Sequence, residues 1–158
     1  MGDRGNIAVI NKKWNSDEYE GIFLYSHWGG HRLERTARNA VANSEGRVGD
    51  PSYLARIIFC HMIIEGFTNE VESLYGLDAI NYQIDPDEIS SQAQNLLKAV
   101  VDEFMNTIGY GISLHGAGDQ NNPTVVVDAD TGEIWIDDKY PTSVEEIIAN
   151  RLDSLSTV

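Results

Sequence analysis

The chain has 158 residues, 42% of them hydrophobic and 23% charged, which fits one ordinary globular domain and excludes a disordered chain. Eleven basic against 25 acidic residues leave a net charge of −14, which excludes a general DNA or RNA binder, because phosphate contacts need a net basic face. A single cysteine, Cys60, excludes an internal disulfide framework and a cysteine-rich zinc site.

Asn6–Ile10 and Gly21–Tyr25 are short apolar runs separated by the turn-forming cluster Asn15-Ser16-Asp17-Glu18. They read as a β-hairpin buried on both faces. Ser26-His27-Trp28-Gly29-Gly30 then breaks the strand, and Leu33, Ala37, Ala40 and Val41 fall on one stripe of a first helix. A second helix has Asp50 as N-cap, Pro51 at its first position and Gly66 as its stop, with apolar residues around most of its circumference. Within it, His61 reads as a satisfied core histidine and Cys60 as a small buried hydrophobe. Residues 67–84 read as a helical turn and an irregular segment. A third helix starts at Asp85-Pro86-Asp87-Glu88, with Ile89, Ala93, Leu96, Leu97, Val100 and Phe104 on one face.

The last third turns to strands. Ile108, Tyr110, Ile112 and Leu114 alternate with small residues, and Thr124–Val127 and Glu133–Ile136 flank the loop Asp128-Ala129-Asp130-Thr131-Gly132. That loop shares acidic spacing with a calcium loop, but its glycine is one place early and Lys139 stands where the twelfth-position glutamate belongs, so it reads as a turn. Ser143 to Glu146 forms a capping box for a terminal helix with Ile147, Ile148 and Leu152 facing inward. The expected fold is a single α+β domain over residues 1–158: a mostly antiparallel sheet, built from the N-terminal hairpin and the C-terminal strands, with helices packed on one face.

Charge is unevenly placed. The first 56 residues hold eight basic and seven acidic residues, and the remaining 102 hold three basic and eighteen acidic. The surplus of arginine is concentrated around Ser26-His27-Trp28-Gly29-Gly30-His31-Arg32. There, a strand ends, two glycines let backbone approach a ligand, and a helix start offers N–H groups to an anion. Arg32 and Arg35 lie on the first turns of that helix and suit bidentate phosphate contacts. Trp28 offers a flat face on which a base can stack, worth roughly 1–3 kcal/mol. The candidate ligand-binding residues are therefore Arg4, His27, Trp28, Gly29, Gly30, His31, Arg32, Arg35 and Arg56. His27 and His31 are four apart, as helical metal ligands are, and Asp3 or Asp50 could add a carboxylate; Gly29-Gly30 interrupts the helix between the histidines, so no metal and no cofactor is expected.

The segments Met1-Gly2-Asp3-Arg4-Gly5-Asn6-Ile7, Leu24 to Gly30, Tyr53 to Phe59 and Gly109 to Ser113 resemble those of an uncharacterised family of small proteins from bacteriophages and actinobacterial genomes. Against the shorter members of that family, residues 69–106 look like a helical insertion. The opening Gly-x-Arg, the hairpin and the aromatic-glycine turn also resemble phage sponge proteins that sequester nucleotide immune signals. That resemblance implies non-catalytic capture of a cyclic dinucleotide or cyclic ADP-ribose species by a homo-oligomer in the host cytoplasm. Two other functions stay open, the first on the same pocket and the second on the acidic body instead. One is a phosphodiesterase or phosphatase with His27 or His31 as acid–base group; the other is an acidic, DNA-mimicking inhibitor that binds a protein. No Walker, Gly-x-Ser-x-Gly or dinucleotide fingerprint is present. No apolar run is long enough for a membrane span, and no secretory leader opens the sequence, so neither membrane nor nucleic acid is an expected partner.

Overall fold

Six successive residues of β1 (Gly5–Lys12), from Gly5 to Ile10, are buried, so this strand has no solvent face along most of its length. A computed structural model describes residues 2–75, 95, 98, 99, 101, 102, 105 and 109–157 and shows why. β1 pairs antiparallel with β2 (Tyr19–Ser26), with Gly5 opposite Ser26 and Lys12 opposite Tyr19. On its other side it pairs in parallel with β4 (Thr124–Asp128). β3 (Tyr110–Ser113) extends the sheet beyond β2, and β5 (Ile134–Asp137) forms a hairpin with β4. The order is β3-β2-β1-β4-β5, an α+β architecture whose sheet is antiparallel apart from the β1–β4 pair.

Alternation along β1 divides the core. Ile7 and Val9 join Leu24, Val125 and Val127 under α1 (Leu33–Ala42) and α2 (Pro51–Tyr75), which contribute Leu33, Ala37, Ala40, Leu54, Ile58 and Met62. Ala8 and Ile10 face the other way, with Phe23 and Val126, and meet Val144 and Ile147 of α3 (Val144–Ser156). The helices were expected on one face. Two lie there, and the terminal helix takes the opposite face, because β1 and β4 are apolar at successive positions and both of their faces need cover. Among the described residues no helix is long and apolar enough to cross a membrane.

Several local readings change in the structure. α2 does not stop at Gly66 but runs on to Tyr75, through residues expected to be partly irregular. Gly66 is instead a close-approach position: a Cβ there would collide with the Tyr110 hydroxyl. Asp50 does cap α2, accepting from the Tyr53 N–H at 3.4 Å. Cys60 and His61 are half-buried rather than core residues. The third expected helix lies largely outside the described residues, although Asn95, Lys98, Ala99, Val101 and Asp102 are helical. The loop after β4 is a side-chain-supported turn: Asp128 accepts from the N–H groups of Asp130 and Thr131 at 2.9 and 3.3 Å, and Gly132 takes a φ of 77°.

At α3 the capping box forms, with the Ser143 hydroxyl accepting from the Glu146 N–H at 3.2 Å. The glutamate carboxylate reaches one residue further back than expected, to the Thr142 N–H at 2.8 Å. Leu152, expected to face inward, is 62% exposed, so α3 is anchored chiefly through Val144 and Ile147. Ile147→Ala should therefore lower unfolding free energy by about 2–5 kcal/mol through the cavity it leaves. Leu152→Ala should change it by less than about 0.5 kcal/mol, as at exposed positions generally. Urea unfolding of both variants checks the pair.

Candidate functional site

The Gly5 end of β1, the turn after β2 and the loop before β4 meet at one end of the sheet. The strand-to-helix turn is built by hydrogen bonds that consume its own amides. The Gly29 N–H donates to the Ser26 hydroxyl at 3.1 Å, and the Gly30 N–H donates to the Asp3 carbonyl at 2.8 Å. Both amides were expected to be open to an anion, and both are spent within the fold. Gly30 is glycine because the Arg4 backbone passes within 2.8 Å of where a Cβ would stand. Gly29 leaves room for Arg32, whose Nη2 would lie 2.8 Å from a Cβ at that position. The arginine fork thus folds back over the turn.

Trp28 is 60% exposed, which removes it from the core. Its ring meets His27 edge-on, with centroids 4.3 Å apart, and Gly109 lies beneath it. His27 is held from the other side, its Nδ1 2.9 Å from the Tyr25 hydroxyl. Burial, with the Asp119 carboxylate nearby, pushes the Tyr25 hydroxyl above its ordinary range against the opposing charge of Arg4. Tyr25 therefore remains protonated as a partner of His27 across the neutral range.

Asp3 is the hub of a second set of bonds. One carboxylate oxygen bonds His31 through both its Nδ1 and, at 3.4 Å, its backbone N–H. The other oxygen accepts from the Asn122 amide at 2.6 Å. Burial raises the Asp3 pKa, but the hydrogen bonds from His31 and Asn122, with the His31 charge, outweigh it and hold the carboxyl below its ordinary value. The Asp3 contact occupies His31 Nδ1 and leaves Nε2 as the other ring nitrogen, on a side chain 63% exposed.

The loop Gly116–Asn122 closes the site over Arg4 and Asn6. Asn121 accepts from the Arg4 N–H at 2.7 Å and donates to the Gly2 carbonyl at 2.9 Å. Asn6, fully buried, donates to Gln120 at 2.7 Å and accepts from the Ala117 N–H at 3.4 Å. Arg4 pairs with Asp119 at 3.2 Å. Two buried donors, Arg4 Nε and Gln120 Nε2, have no hydrogen-bond partner among the described residues.

Of the expected residues, the structure brings Arg4, His27, Trp28, Gly29, Gly30, His31 and Arg32 to this end of the sheet, and Arg35 stands one turn along on the exposed side of α1. Arg4 is occupied by Asp119, so its charge is already balanced. Arg56 is elsewhere, on α2 beside Tyr53. Sequence reasoning missed Tyr25, Asp119, Gln120, Asn121 and Asn122. The run Gly118-Asp119-Gln120-Asn121-Asn122-Pro123 reads only as loop, and nothing in it gives its partner more than a hundred residues earlier. Among the described residues no group of three or more His, Cys, Asp or Glu is placed to hold a metal ion.

A carboxyl with a lowered pKa stabilises the fold above its ordinary pKa of 3.8 and loses that contribution as pH falls through the lower folded value. Asp3→Asn should therefore lower the melting temperature at neutral pH, and the gap to the parent protein should close as pH drops below about 4. Thermal melts across that range check the sign. Comparison with protein-family models, curated proteins and solved structures finds no match to this chain.

Proposed function

We propose that the protein binds, without cleaving, a nucleotide-derived signalling molecule of the cyclic dinucleotide or cyclic ADP-ribose type, as a phage anti-defence sponge would. The observation that carries this reading is the exposed face of Trp28 beside a turn bearing Arg32 and Arg35, neither of which has an ion pair among the described residues. Trp28 stacks on a base, while Arg32 and Arg35 take phosphate oxygens bidentately. With the Gly29 and Gly30 amides already bonded, charge recognition falls to the arginine forks. His31 adds a donor or acceptor at Nε2. The resemblance to phage sponge proteins supports the same reading, as does the exposed edge around Ile112 and Leu114, a surface suited to the homo-oligomers such proteins form.

One observation favours a second reading. A histidine whose Nδ1 is held by a carboxylate is oriented to work as a general base through Nε2. His31 would then take the proton of a water attacking phosphorus, the ester oxygen leaving with a proton from His27 or solvent. Among the described residues no serine, threonine or cysteine side chain hydrogen-bonds His31, so the hydrolytic route would run through water.

The two readings separate in one experiment. Melting temperatures are measured with cyclic dinucleotides, cyclic ADP-ribose isomers, NAD and ATP, and each ligand is then recovered by heat denaturation and weighed by mass spectrometry. Sequestration predicts a raised melting temperature with the ligand mass unchanged. Trp28→Ala should weaken binding about tenfold or more, and adding Arg32→Ala should weaken it further. A changed ligand mass that disappears in His31→Ala supports the hydrolase. No shift and no change of mass with any of the ligands overturns both.

A further inference from the structure

Arg56 was expected at the Trp28 turn, and its actual surroundings suggest a different use. It projects from α2 into a cavity of about 520 Å³ formed where the loop after α1 meets the start of α2, lined also by Asn43, Ser44, Arg47, Tyr53 and Ile57. Two guanidiniums share one aromatic ring here: Arg47 lies 4.4 Å and Arg56 5.8 Å from the Tyr53 centroid. Arg47 has a carboxylate on one side, Asp50 at 3.5 Å. Glu45 lines the cavity too but pairs with neither arginine, and Arg56 has no ion pair among the described residues. In a chain carrying −14, two cations against one ring, balanced by Asp50 on Arg47 and Glu45 in the lining, make a locally neutral spot in which the Arg56 guanidinium has no ion pair among the described residues.

We propose that this cavity is a second ligand site, distinct from the Trp28 turn, that takes the phosphate or pyrophosphate group of a small molecule. The Tyr53 ring holds both guanidiniums near one point; Arg47 turns one nitrogen to Asp50, while Arg56, with no ion pair among the described residues, keeps a fork that suits bidentate contacts to phosphate oxygens. The cavity volume falls within the range of small-molecule sites, and the exposed Tyr53 ring and Ile57 supply the apolar wall that such sites carry beside their charged groups. Trp28 contacts His27 and lies over Gly109, and it shares none of the cavity's lining. The surrounding acidic surface repels anions, so affinity here depends on both arginines acting together.

Titration calorimetry with inorganic pyrophosphate tests the site, with ADP as a second probe. The parent protein and Trp28→Ala should bind pyrophosphate alike. Arg56→Ala and Arg47→Ala should each weaken binding tenfold or more, and Arg56→Lys should restore it only in part, because an ammonium lacks the fork. Tighter binding of ADP than of pyrophosphate would support the site and assign it to a nucleoside diphosphate; equal binding would support it and assign it to the free anion. Both arginines are exposed, so unchanged melting temperatures will confirm that the variants fold. No heat up to about 10 mM pyrophosphate, beyond a millimolar Kd, would overturn the proposal. Equal binding by Arg56→Ala, or loss of binding in Trp28→Ala, would overturn it as well.

Discussion

A strand with no solvent face has to be covered on both sides, and β1 imposes that requirement on everything else. Ile7 and Val9 call for one apolar layer, Ala8 and Ile10 for another, and each layer recruits helices from a different part of the chain. α1 and α2 follow the hairpin directly and cover the first side; the second has to wait for α3, at the far end of the sequence. Burying a Val or Ile side chain is worth about 1.5–3 kcal/mol, so Ile7, Val9 and Ile10, directed to alternate faces, make β1 a principal organiser of both layers. The parallel pairing of β4 with β1 follows from the same demand, since β4 is buried at all five of its positions and belongs at the centre.

Where β1 begins, the demand changes sign. Asn6 is as buried as Ile7, yet it carries an amide that has to be satisfied, and the loop from Gly116 to Asn122 does this with Gln120 and the Ala117 backbone. The same loop extends the network outward through Asn121 and Asn122 to Gly2, Arg4 and Asp3, and through Asp3 to His31. The histidine is therefore positioned by a chain of amides rooted in the core, whereas Trp28 meets a ring edge, Gly109 and a backbone bridge to Asp3. One side of the turn is specified by a hydrogen-bond network and the other presents an exposed ring.

Legibility in the sequence followed the range of the interaction. The hairpin, the α1 stripe, the Asp50 cap and the Ser143 capping box depend on residues a few positions apart, and their patterns were readable directly. The α+β class was readable too, because hairpin signals and helix signals occupy separate stretches. What could not be read was anything decided by distant partners. Gly66 has the composition of a helix stop, but Tyr110 decides its role by occupying the space a side chain would need. Leu152 fits an inward stripe, but the sheet beneath it is already covered by Val144 and Ile147. At the site, the aromatic-glycine turn stood out locally, whereas Arg56 was grouped with it on charge alone and lies against Tyr53 instead.

The bonds that complete the Asp3 and Arg4 network join residues 111 to 119 positions apart. Closing loops of that span is slow and is accomplished only after shorter-range structure has formed. On the ribosome, the hairpin and the first two helices can assemble while the loop that fixes His31 has yet to be synthesised. The polar framework around His31 is thus one of the last features of the molecule to exist, and an unfinished chain presents the tryptophan without it.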